Sequence, residues 1–173
     1  MESKITLQGK IVFEPENRTK KHNSQSSWKR MAMVNFSGDI TEYYAWFIQR
    51  RYNLVLNKPL RGSHISFIND SMKELSCNDT KTAEEIDSSW ELVKNKWDKQ
   101  IIPVVLDLDV KFGKQHWWLQ VPQEDRELLH GIRSELGLGR PYWGLHMTIG
   151  HANEKNIEHS DYIQRLIQKG FII

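Results

Sequence analysis

Apolar and polar residues alternate from Lys4 to Phe13, with Ile5, Leu7 and Ile11 on one parity, which is the period of a β-strand. A polar, basic stretch from Glu14 to Ser27 interrupts the pattern and reads as a mobile loop. Lys29 to Phe36 predicts a second strand, closed by Gly38-Asp39. Asp39 and Glu42, three positions apart, have the spacing of a capping box. The helix expected to follow carries Ile40, Tyr44, Phe47 and Ile48 on one stripe and ends near Asn53. Lys58-Pro59-Leu60-Arg61-Gly62 predicts a turn and Ser63 to Ile68 a strand, so the first half reads β-β-α-β.

The second half repeats that order. Val104 to Phe112 and Gln115 to Val121 predict strands around a turn at Gly113. Pro122, followed by acidic Glu124 and Asp125, marks a helix start, and Gly137 its stop. Arg140-Pro141 breaks the chain before a strand from Trp143 to Gly150. A helix from about Thr82 to Lys99, with Ile86, Trp90, Val93 and Trp97 at helical spacing, links the halves, and a short helix from Ser160 to Lys169 closes the chain. The expected fold is α+β: two pseudo-symmetric β-β-α-β lobes form antiparallel sheets around a central cleft, with helices outside. At 173 residues this suits one bilobal unit over 1–173, with lobe one at about 1–70 plus the linking helix at 82–99, and lobe two at about 101–173.

Each half ends in a strand with one pattern, His64-Ile65-Ser66-Phe67 and His146-Met147-Thr148-Ile149. Strand side chains alternate faces, so each strand buries its apolar residues and presents an imidazole and a hydroxyl on the other face. Two such strands facing one cleft suit phosphodiester cleavage. One histidine removes a proton from the attacking oxygen and the other protonates the leaving oxygen, because imidazole titrates near neutral pH. The hydroxyls of Ser66 and Thr148 would donate to the non-bridging phosphate oxygens. A ribonucleotide substrate brings its own 2′-OH nucleophile, so this chemistry needs neither metal nor cofactor. The bland alternative is a pair of histidines satisfied by hydrogen bonds in a polar cleft.

A metal site is the next rival. His146 and His151 are five positions apart on or near one strand, and strict alternation sends them to opposite faces. His116, His130 and His159 fall in different elements, and no His-Glu-x-x-His pattern exists, so no metal ligand set is expected. The net charge of +2 is too small for a bulk nucleic-acid binder and points to a small anionic ligand. Cys77 is the single cysteine, which excludes an internal disulfide. Met1-Glu2-Ser3-Lys4 opens no signal-peptide core, and no apolar run reaches the ~20 residues of a membrane span, so a cytoplasmic location is expected.

The paired motifs resemble the 2H phosphoesterase superfamily, whose members carry His-x-Ser/Thr on each of two pseudo-symmetric lobes. Within it the chain looks like the phage anti-CBASS cyclic-oligonucleotide phosphodiesterases. Lys58-Pro59-Leu60-Arg61-Gly62 before the first motif and Ile149-Gly150-His151-Ala152-Asn153-Glu154-Lys155-Asn156-Ile157 across the end of the second carry that closer likeness. Many relatives have Thr where this chain has Ser66; both supply a hydroxyl. The resemblance implies degradation of cyclic di- or trinucleotide alarm signals made by bacteria against phage, in the host cytoplasm. His64 and His146 would be the acid–base pair, with Ser66 and Thr148 as phosphate holders.

Substrate contacts are expected from Trp28, Lys29 and Arg30 beside the basic loop, and from Arg61 ahead of the first motif; solvated surface charge is the competing reading. Trp117 and Trp118 are adjacent on a strand, so one faces the core and the other outward. Two other functions fit the same residues. One is processing of RNA ends carrying 2′,3′-cyclic phosphates or 2′-5′ linkages. The other is a nucleotide-sequestering protein without catalysis. Duplex nucleic acid and membranes are not expected partners, and the sequence is silent on oligomeric state.

Overall fold

The computed structural model describes residues 3–15, 30–69, 82–113, 115–158, 160, 164–165 and 168–169. Trp28, Lys29, Cys77, His159 and most of the 14–28 loop lie outside the described residues, as does much of the expected closing helix. The chain is a mixed α+β protein with two antiparallel sheets. Strands β1 (Lys4–Phe13), β2 (Ala32–Phe36) and β3 (His64–Ile68) bracket helix α1 (Ile40–Tyr52). Helix α2 (Ala83–Trp97) and strand β4 (Ile101–Asp107) follow. Then come β5 (Lys111–Phe112), β6 (His116–Gln120), a 3-10 turn at Gln123–Asp125, α3 (Glu127–Glu135), β7 (His146–His151) and α4 (Glu154–Glu158). Among the described residues no helix is long and apolar enough to cross a membrane.

The sheets run β3-β2-β1-β4 and β5-β6-β7. Within each, β1-β2-β3 and β5-β6-β7 have the same order, with a helix between the second and third strands. One expectation needs correcting. The strand foreseen from Val104 to Phe112 splits, and its first part, β4, pairs with β1 from Lys4↔Asp107 to Lys10↔Ile101. Only Lys111–Phe112 joins the second sheet, where the Phe112 ring stacks on buried Trp117 at 4.5 Å. The β1–β2 register sets Gly9 opposite Phe36, where a Cβ would sit 2.3 Å from Val34 Cγ1 and 2.7 Å from the Phe36 ring, so a side chain there would force its neighbours to move.

Helix starts also differ from expectation. Asp39 caps α1 without a side-chain hydrogen bond, and Glu42 instead accepts from Lys58 Nζ at 2.6 Å. The capping box is at α2: Glu85 N–H donates to Thr82 Oγ1 at 3.3 Å and Thr82 N–H to Glu85 Oε2 at 2.7 Å. From there Ile86, Trp90 and Val93 are buried on one stripe, and the Trp90 ring meets Phe13 edge-on at 5.1 Å.

The helices cross over. Helix α1 packs against β7 of the other half, and α3 against β3 and α2. Arg133 on α3 is wholly buried and donates from Nη1 to Phe67 O at 2.6 Å and from Nε to Gly139 O at 2.7 Å. β3 and β7 thus lie side by side, tied also by Trp143 Nε1 donating to Ser66 O at 3.4 Å. The residues between the two motif positions, Ile65, Phe67, Met147 and Ile149, are all 0% exposed, so the apolar parity forms the common core.

Candidate active site

Each motif histidine is placed by the two residues before it. Gly62 closes the turn after Pro59 with φ +66, a left-handed conformation open to glycine without Cβ strain. Its carbonyl oxygen takes a hydrogen bond from His64 Nδ1 at 2.9 Å. In the second half Gly144 O takes one from His146 Nδ1 at 2.6 Å. A carbonyl only accepts, so both Nδ1 atoms carry hydrogen and the lone pair of each neutral ring is on Nε2. The signal Gly-x-His-x-Ser/Thr, present twice, was therefore readable in full.

The surrounding backbone is equally matched. Phe36 N–H donates to Ser63 O, and Val121 N–H to Leu145 O, both at 3.0 Å. Asn35 sits across from His64 and Gln120 across from His146. Both final strands then carry one inserted residue. Met33 faces Ser66 while Ala32 faces Ile68, and Trp118 faces Thr148 while Trp117 faces Gly150, so Phe67 and Ile149 are the extra residues of two like-placed bulges. His64, Ser66, His146 and Thr148 are all half-buried on the face opposite the core.

The bulge overturns the reading that His146 and His151 face opposite sides. One inserted residue restores His151 to the parity of Thr148, and His151 pairs directly with His116. The His116 and His151 rings stack at 4.8 Å and 11°, and His116 meets His146 edge-on at 5.2 Å. His116 Nε2 lies 3.2 Å from Thr148 Oγ1. Histidines assigned to separate elements thus share one face. Burial, and then the neighbouring His146 and His151, hold His116 down to about 4, so it is neutral at pH 7. Burial also lowers His146, against the opposing effect of its bond to Gly144. Among the described residues no three His, Cys, Asp or Glu side chains are arranged to hold a metal ion.

Other expected contacts separate. The Arg30 guanidinium is bonded to Glu14 and Asp87 and lies over the Trp90 ring at 5.2 Å. Arg61 lines a pocket of about 290 Å³ with Asn35, Thr41, Lys58 and Ser63, the residue before His64. Buried Thr41 Oγ1 and Ser63 Oγ, 2.8 Å apart, fix the start of β3 to α1. Asn35 Oδ1 is buried and has no hydrogen-bond partner among the described residues. Trp117 is in the core and Trp118 half-buried, as alternation requires. The Trp118 indole donates from Nε1 to Gln120 Oε1 at 3.1 Å, and Gln120 Nε2 donates to Leu145 O at 2.8 Å, which fixes the ring near His146 at 6.1 Å. Compared with known proteins, the chain matches no family model, no curated protein and no solved structure.

Proposed function

We propose that this chain is a phosphodiesterase of the 2H type that opens cyclic di- or trinucleotides by histidine acid–base catalysis. The observation that carries the reading is the repeated strand: the same Gly-held imidazole, the same hydroxyl two residues on and the same bulge, once in each half. A structural histidine has no need of such duplication, whereas cleavage of a phosphodiester needs one proton acceptor and one proton donor.

His146, whose burial favours the neutral ring at pH 7, suits the base. Its Nε2 takes the proton of the ribose 2′-OH as that oxygen attacks phosphorus. The bond from phosphorus to the leaving 5′ oxygen breaks, and His64, starting as the cation, returns a proton to that oxygen. The product is a linear nucleotide ending in a 2′,3′-cyclic phosphate. Ser66 and Thr148 donate to the phosphate oxygens as charge accumulates there. Arg61 and Asn35 on one side and Trp118 on the other are the proposed contacts to the rest of the substrate. By the resemblance of its motifs the chain would act for a phage, in the host cytoplasm, against a bacterial immune signal.

The test is mass analysis of products after incubation with a panel of cyclic oligonucleotides and RNA ends. Ring opening is expected for a cyclic ribonucleotide and not for one lacking the 2′-OH beside the scissile phosphate. Ready cleavage of the deoxy compound would remove the mechanism. Preference for RNA ends would move the substrate, and recovery of intact ligand would favour sequestration.

A further inference from the structure

Thr148 has one hydroxyl hydrogen and therefore one bond to donate. Its oxygen lies 3.2 Å from Nε2 of His116, and the direction of that bond decides what the hydroxyl can do for a phosphate. If Thr148 donates to His116, its hydrogen is spent inside the protein. If His116 donates from Nε2–H, the hydrogen of Thr148 is turned outward. The ring that makes this bond is held on two sides, stacked against His151 and edge-on to His146. Burial and those two imidazoles keep it uncharged, so it has one N–H to place.

The arrangement belongs to one half only. Counted from the bulge, the position of His116 in lobe two corresponds to Met31 in lobe one, which is buried and offers Ser66 no donor. The inserted Ile149 is also what brings His151 over the His116 ring.

We infer that His116 is a positioning residue: it carries its proton on Nε2, donates to Thr148 Oγ1, and so aims the Thr148 hydroxyl hydrogen at the substrate phosphate. The inference rests on the phosphodiesterase reading for its consequence, but the bond itself is open to direct measurement.

Long-range ¹⁵N–¹H NMR of the histidine rings in the intact chain should show His116 neutral and protonated on Nε2 at pH 7. A proton on Nδ1 alone, or an imidazolium, would overturn the inference, and this reading holds even for a chain that cleaves nothing. In the activity arm, His116→Gln, whose side-chain amide offers N–H near the place of Nε2, should retain the rate within about threefold. His116→Glu, able only to accept, should lower kcat by about 10- to 100-fold with little change in KM. In a Thr148→Val background both substitutions should have no further effect. Equal losses from Gln and Glu, or losses that multiply with Thr148→Val, would assign His116 a merely structural role. Thermal unfolding of each variant identifies any loss that comes from misfolding, and the NMR result then decides.

Discussion

The two halves repeat a strand order and a bulge and differ in what they put on them. Lobe one puts Arg61 and Asn35 on a small pocket that also takes in Ser63, the residue before His64, and sets buried Met33 opposite Ser66. Lobe two holds His146 among rings: Trp118 at 6.1 Å and His116 at 5.2 Å, with His151 stacked beyond. The amides opposite the histidines differ likewise. Gln120 is committed to Trp118 and Leu145, while Asn35 Oδ1 is buried with no partner among the described residues. A repeated strand pattern thus holds two imidazoles by the same Nδ1-to-glycine bond in unlike surroundings. Unlike surroundings are what an acid and a base require, because the same residue type has to hold a proton in one place and lack it in the other.

The largest test of that division is to remove each imidazole. His64→Ala and His146→Ala should each reduce the rate by about 10²- to 10⁴-fold. With His146 lowered, the acidic limb of the wild-type profile should fall below pH 6.5, and His146→Ala should abolish that limb while His64→Ala abolishes the alkaline one. Initial rates across pH 4.5–9 would decide; the opposite assignment of limbs exchanges the roles.

Next in size is the tie between the halves. Arg133→Met leaves the Phe67 and Gly139 carbonyls without their buried donor, and a loss of about 3 kcal/mol is expected in denaturant unfolding. A change under about 1 kcal/mol would mean that lobe one does not depend on α3.

The two glycines ahead of the histidines separate the halves more finely. Gly62→Ala must place a Cβ at φ +66 and should cost about 1–2 kcal/mol. At Gly144 the added Cβ meets first the end of the flexible Gln120 side chain, at 2.9 Å, so Gly144→Ala should cost less stability but release Trp118 from its anchor. Urea unfolding and tryptophan emission read the two effects.

The remaining effect is that of pH on stability. Folding lowers the pKa of His116, His130 and His146. The unfolded chain therefore binds more protons below about pH 6.5 and stability falls with pH from there toward 4. A Tm lower at pH 5 than at pH 7 is expected, with His116→Phe flattening the slope; a Tm that rises on acidification would contradict the burial of these rings.

Much of this is legible in the sequence. Periodicity located β1, α1, α2 and β3, because each buries a clear stripe or parity, and the apolar residues between motif positions are in the core as alternation demands. What escaped depends on register. A period-two reading assumes that no residue is inserted, so the Ile149 bulge reversed the expected face of His151 and hid its partnership with His116. The split of β4 from β5 escaped for a related reason: nothing local in Val104 to Phe112 says which neighbour each part will pair with. The ion pairs of Arg30 escaped because its partners, Glu14 and Asp87, are distant in sequence from one another.

The exchange of β4 has a consequence for how this molecule can be taken apart. A fragment ending at Gln100 would hold the first motif complete and yet leave β1 unsatisfied from Lys4 to Lys10, a straight template for self-association. The remaining piece would begin with an apolar strand lacking anything to pair with. Interlocked halves of this kind must fold together, each supplying an edge that the other needs.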